Sequence, residues 1–83
     1  MTQIMHKKML DFRKAGDELL LDYELRTEKC SWSIFDTGGM ELCSGMLNGQ
    51  PPHRIPVASL SPNLYQLCVI DGDMLLNTRF RID

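Results

Sequence analysis

The sequence predicts an all-β chain, a small immunoglobulin-like antiparallel β-sandwich of six to seven strands. Three observations carry that expectation. Apolar residues recur with a period of two along most of the chain, the periodicity of strands with one buried face. Turn-forming clusters separate these stretches roughly every 8–12 residues, as in sandwiches. The chain has 83 residues, and a domain of that size buries only about 60% of its unfolded surface. Nearly every apolar side chain must therefore enter one core, and no helix of ordinary length is required.

The elements follow in order. Residues 1–7 are expected to fray, with residues 8–83 forming one β-sandwich domain. Met5, Met9 and Phe12 would share a helical face, whereas Leu10 and Phe12 share a strand face. The strand is favoured, over residues 8–13, with Lys14-Ala15-Gly16-Asp17 turning it into the next. Leu19, Leu21, Tyr23 and Leu25 alternate with Leu20, Asp22, Glu24 and Arg26, a strand with one wet face. Cys30, Trp32 and Ile34 alternate with Ser31 and Ser33, which places Trp32 in the core. Asp36-Thr37-Gly38-Gly39 then forms a hairpin turn in which Asp36 bonds the backbone amides and Gly38 or Gly39 supplies a positive φ. Met40, Leu42, Ser44 and Met46 fall on one face of the return strand, and Glu41, Cys43 and Gly45 on the other.

Asn48-Gly49-Gln50-Pro51-Pro52 reads as a loop. Ile55, Val57 and Leu60 form a short apolar stripe broken by Pro56, the mark of an edge strand. After the turn Ser61-Pro62-Asn63, Tyr65, Leu67 and Val69 alternate with Gln66 and Cys68. Asp71-Gly72, or Gly72-Asp73, signals a hairpin into Leu76, Thr78, Phe80 and Ile82.

Composition narrows the function. The net charge is −2 and no Lys/Arg run exceeds pairs such as Lys7-Lys8, so a nucleic-acid footprint is absent. Runs such as Leu19-Leu20-Leu21 fall far short of a membrane span, and the first ten residues lack the apolar stretch of a leader. Cys30, Cys43 and Cys68 are odd in number, so at least one thiol is free in the monomer. They read as small half-buried hydrophobes, and a Cys43–Cys68 bridge needs those strands to be neighbours. His6 and His53 with these cysteines form no metal set. Asp71 and Asp73 flank Gly72 like a fragment of a calcium loop without its other ligands, and read as a turn. No cysteine has a histidine positioned beside it by sequence, Ser59 and Ser61 read as turn formers, and Gly38-Gly39 precedes no helix that could receive a phosphate. The expectation is a non-enzyme without catalytic residues, cofactor or metal, whose partner is another protein.

Three stretches resemble the C-terminal sorting domain of the type IX secretion system of Bacteroidetes, an immunoglobulin-like β-sandwich. They are Trp32 through Leu42, Ile55 through Val69, and Asp71-Gly72 followed by Arg79-Phe80-Arg81-Ile82. Leu10-Asp11-Phe12 and Asp17-Glu18-Leu19 sit where that family has its first strand and the start of its second. The chain departs from the family at Arg13-Lys14-Ala15, where an Asn-Pro pair is usual, and at Asn63, where glycine is usual and Asn can take a left-handed φ. It also carries Arg79, Arg81 and Asp83 in place of terminal lysines.

The resemblance implies recognition by an outer-membrane export apparatus through the edges and polar residues of the last two strands, with Arg79 and Arg81 as contacts. It implies structural roles for Trp32, Asp36, Gly38, Gly39, Leu60, Tyr65, Gly72 and Phe80, with Leu60 capping one end and the Tyr65 hydroxyl reaching a backbone group. A sorting tail of a larger protein would travel to the cell surface or beyond; a free-standing chain would be cytoplasmic. The alternative function is an immunoglobulin-like or fibronectin-like interaction module, pairing strand edges as a homo-oligomer and using its six methionines as adaptable contacts.

Overall fold

A computed structural model describes residues 10–83. The expected frayed segment, residues 1–7, lies outside them. Every regular element among the described residues is a strand: β1 Phe12–Ala15, β2 Glu18–Leu21, β3 Cys30–Phe35, β4 Glu41–Leu47, β5 His53–Pro56, β6 Asn63–Asp71 and β7 Met74–Ile82. They form two antiparallel sheets, ordered β1-β2-β5 and β4-β3-β6-β7. Three hairpins stay within a sheet, and the chain crosses between sheets after β2, β4 and β5. The result is a β-sandwich with the alternation that the sequence displays.

One core joins the two sheets. Leu19, Leu21 and Ile55 of the smaller sheet and Cys30, Ile34, Leu67 and Val69 of the larger are the most deeply buried side chains. Burying each large aliphatic side chain is worth about 1.5–3 kcal/mol, and the period-two pattern aims all of them at the same layer. Tyr65 and Phe80 stack with centroids 5.6 Å apart, and Phe12 meets Phe80 edge-on at 6.4 Å. This aromatic ladder ties β1 to β7 across the sandwich. Leu60 packs against the same core. The Tyr65 hydroxyl donates to the Ser61 carbonyl at 2.6 Å, which ties the start of β6 to the β5–β6 crossover.

Several elements differ from the sequence expectation for identifiable reasons. Of the strand expected over residues 8–13, residues 8–9 lie outside the described residues; β1 begins at Phe12, after Leu10 and Asp11, and Lys14 and Ala15 belong to the strand. Ala15 pairs with Glu18 across a two-residue turn in which Gly16 has φ +63°. β2 stops at Leu21, although Tyr23 and Leu25 stay half-buried; farther along, the backbone amides of Arg26 and Thr27 bond the Asp71 side chain instead of a strand. Asn63 keeps a negative φ, and its Oδ1 accepts from the Leu64 amide at 2.7 Å as β6 begins. In the β3–β4 hairpin Gly39, with φ +87°, supplies the positive φ. β5 is an edge strand, with Pro56 at its end.

Register decides the orientation of β4. Trp32 pairs with Gly45 and Ile34 with Cys43, so Cys43, Gly45 and Leu47 face inward. The Trp32 indole covers Gly45 so closely that a Cβ there would lie 2.7 Å from Nε1. β3 separates β4 from β6, with Cys43 against the core and Cys68 on the outer face. A Cys43–Cys68 bridge is therefore ruled out, and all three thiols are free.

Candidate protein-binding face

The outer face of the four-stranded sheet is built in rows by strand register. Ser31 pairs with Met46 on one side and Ile70 on the other, and Ile70 pairs with Leu75. Met46, Ser31, Ile70 and Leu75 thus form one straight row across all four strands. Met46 and Leu75 are more than 60% exposed, and Ile70 is 47% exposed. The next row, Ser44, Ser33, Cys68 and Asn77, is small and polar. Beyond it lie Glu41, Phe35, Gln66 and Arg79, then Leu64 and Arg81. The face therefore runs from an apolar end to one where Arg79 and Arg81 share the sheet with Glu41.

At the Arg79 end the Asp36 hairpin stands beside the sheet. Asp36 Oδ1 accepts from the amides of Gly38 and Met40, each at 2.9 Å, and the Gly39 amide donates to the Asp36 carbonyl at 3.0 Å. These bonds satisfy a tight turn that no strand partner covers. Between the turn and the sheet is an open hollow of about 500 Å³ walled by Phe35, Asp36, Thr37, Cys68 and Arg79. A smaller hollow of about 380 Å³ lies by Arg13, Leu20 and Asp22 on the other sheet.

The structure thus groups Asp36, Gly38, Gly39 and Arg79 at one end of the large sheet, with Arg81 one row farther on. Trp32, Tyr65 and Phe80 lie in the core rather than on this face. Gly72 sits at the opposite end, where the Gly72-Asp73 turn closes the β6–β7 hairpin.

Beside Gly72 is a side-chain cluster that the sequence conceals. Asp71 is almost completely buried, and its carboxylate accepts four hydrogen bonds: from the Tyr23 hydroxyl (2.6 Å), the Arg26 amide (2.8 Å), and the Thr27 amide (3.0 Å) and hydroxyl (2.7 Å). Burial alone would raise the Asp71 pKa, but these donors outweigh it and hold the carboxyl below its ordinary value. Burial, then the bond to Asp71, pushes Tyr23 up to about 12. The spacing of Tyr23, Thr27 and Asp71 gives no motif; only the fold brings them together.

Burial also raises the thiols of Cys30, Cys43 and Cys68, with Asp71 adding to the effect at Cys30 and Glu41 at Cys43. Thiols so shifted are poor nucleophiles. Among the described residues no group of three or more His, Cys, Asp or Glu could hold a metal ion, and no helix is long and apolar enough to cross a membrane. Compared with known families and with curated proteins, the chain matches no family model and no curated protein.

Proposed function

We propose that this chain is a non-catalytic binding domain of the sorting type, recognised by an outer-membrane protein export apparatus through the outer faces of β6 and β7 and the edge of β7. The asymmetry of its surface carries this reading. The large apolar side chains exposed among the described residues, Met40, Leu42, Met46, Ile70, Met74 and Leu75, all belong to the four-stranded sheet or the turn within its β3–β4 hairpin. Arg79 and Arg81 stand on that same face. The outer face of the smaller sheet instead sets Leu20 between Arg13 and Arg54, with Arg54 paired to Glu18 at 2.8 Å.

An exposed apolar row confined to one face, here Met46, Ile70 and Leu75, is the kind of feature that marks a protein-docking site. The resemblance of residues 32–42, 55–69, 71–72 and 79–82 to the sorting-domain family supplies the identity of the partner, and fold alone does not. Open hollows and protonated thiols support a binding role over a catalytic one. The test fuses residues 10–83 behind a leader-bearing reporter in a host with a type IX system. Reporter released or displayed beyond the outer membrane supports the reading; reporter retained in the periplasm overturns it. The second reading, a free-standing interaction module, is favoured by one observation, the long edge of β7, which no strand among the described residues covers.

A further inference from the structure

Among the described residues four strand edges are open, and three of them carry features that discourage pairing. β1 and β5 have only four residues each, and β5 closes on Pro56. β4 has a register shift against β3 at Ile34/Phe35, which leaves Leu42 as an extra residue in the strand. β7 differs. It runs nine residues without Pro or Gly, keeps unbroken register with β6, and has no strand on its other side among the described residues. Its inward side chains, Leu76, Thr78, Phe80 and Ile82, are uncharged and buried.

We infer that β7 pairs antiparallel with β7 of a second copy of this chain, about a two-fold axis through Thr78. The strand is self-complementary in that register. All nine residues pair, Thr78 meets Thr78, Leu76 meets Phe80 and Met74 meets Ile82, so the two cores become continuous. On the outer face Asn77 meets Arg79 and Leu75 meets Arg81, and no like charges stand opposite. A two-residue slide one way sets Arg79 against Arg79. The opposite slide sets Ile82 against Gly72 and shortens the paired stretch. Thr–Thr and aromatic–aliphatic pairs are favourable across antiparallel strands. The contact is small beside the roughly 1,200–2,000 Å² of stable interfaces, so the dimer dissociates on dilution.

This inference goes beyond the export reading and is tested without it, on the purified full chain, so either can fail alone. Sedimentation equilibrium from about 10 µM to about 1 mM should show the 9.5 kDa monomer converting to a dimer. Asn77 is exposed, so its charge can be changed without disturbing the core. Asn77→Asp faces Arg79 of the other copy twice per dimer and should tighten the dissociation constant roughly 2- to 30-fold. Asn77→Lys should weaken it by a similar factor, and adding Arg79→Asp should restore it. Ser44→Lys, on the outer face of β4, should leave it unchanged. A monomer at every concentration overturns the inference. So does a dimer that ignores both changes at Asn77, or one that Ser44→Lys disrupts.

Discussion

The Tyr23 hydroxyl donates to the buried Asp71 carboxylate at 2.6 Å, while the Tyr23 carbonyl accepts from His53 Nε2–H at 2.9 Å. One residue in the β2–β3 crossover is thereby tied to the end of β6 on the larger sheet and to β5 on the smaller. A crossover without strand partners must satisfy its backbone groups in some other way. Here Asp71 does so for Arg26 and Thr27, and the Gly72 amide donates to the Lys29 carbonyl at 3.0 Å. The same end of the sheet supports the apolar row Met46, Ser31, Ile70 and Leu75, since Cys30, Ser31, Ile70 and Asp71 are adjacent pairing positions.

Asp71→Asn replaces one acceptor oxygen with a donor that faces other donors. A loss of about 3 kcal/mol, of the order of two hydrogen bonds to a charged group, is expected from urea unfolding at neutral pH. The wild-type carboxyl titrates below its ordinary value, so its contribution is present above the unfolded pKa of about 3.9 and is lost as pH falls through the lower folded value. Asp71→Asn should remove that part of the acid dependence. An unchanged acid limb of the stability profile would show that the four bonds do not favour the ionised form.

At the alkaline end Tyr23 acts in the opposite sense. Its folded pKa is raised to about 12, so folding holds the proton on. Stability from this residue is present below the unfolded value of about 10 and declines as pH rises toward the folded value. Tyr23→Phe should be less stable than wild type at neutral pH and lose less between those two values. Thermal melts of both proteins across that window make the comparison.

Gly16 and Gly72 form a matched pair. Each opens a two-residue hairpin turn with φ +63°, yet a Cβ at Gly16 meets nothing within 4 Å, whereas one at Gly72 would lie 2.8 Å from Thr27 Cγ2. Gly16→Ala should cost about 1–2 kcal/mol from its left-handed conformation alone. Gly72→Ala should cost a further 1–3 kcal/mol, roughly the penalty of overpacking, because the clamp on Asp71 holds Thr27 in place. Equal losses in chemical denaturation would mean that Thr27 yields freely.

Much of this architecture is legible in sequence because period two reports a one-sided strand directly. Trp32, Tyr65, Leu67 and Phe80 show their burial in this way, and Asp36-Thr37-Gly38-Gly39 shows its turn. Orientation of β4 is harder to read, because Met40, Leu42 and Met46 are more apolar than the Cys43 and Gly45 that face the core. The room taken by Trp32 selects Gly45, and a strand read alone does not reveal its neighbour. The outer face proposed for binding is less legible still. Its apolar row draws one residue from each of four strands, and only register aligns Met46, Ser31, Ile70 and Leu75. The Asp71 clamp is hidden for a similar reason, since its donors lie 44 to 48 residues away.

Arg79 and Arg81 lie outside the core and form no ion pair among the described residues. The double change Arg79→Asp, Arg81→Asp should therefore alter stability by no more than about 0.5 kcal/mol, as at other exposed positions. Its effect on recognition is the most direct test of the central claim. The leader-bearing reporter fused to residues 10–83 should cross the outer membrane of a type IX-competent host, and the doubly reversed fusion, equally folded, should accumulate in the periplasm. Equal export of the two fusions would contradict recognition through this face, and periplasmic retention of both would contradict the sorting role itself.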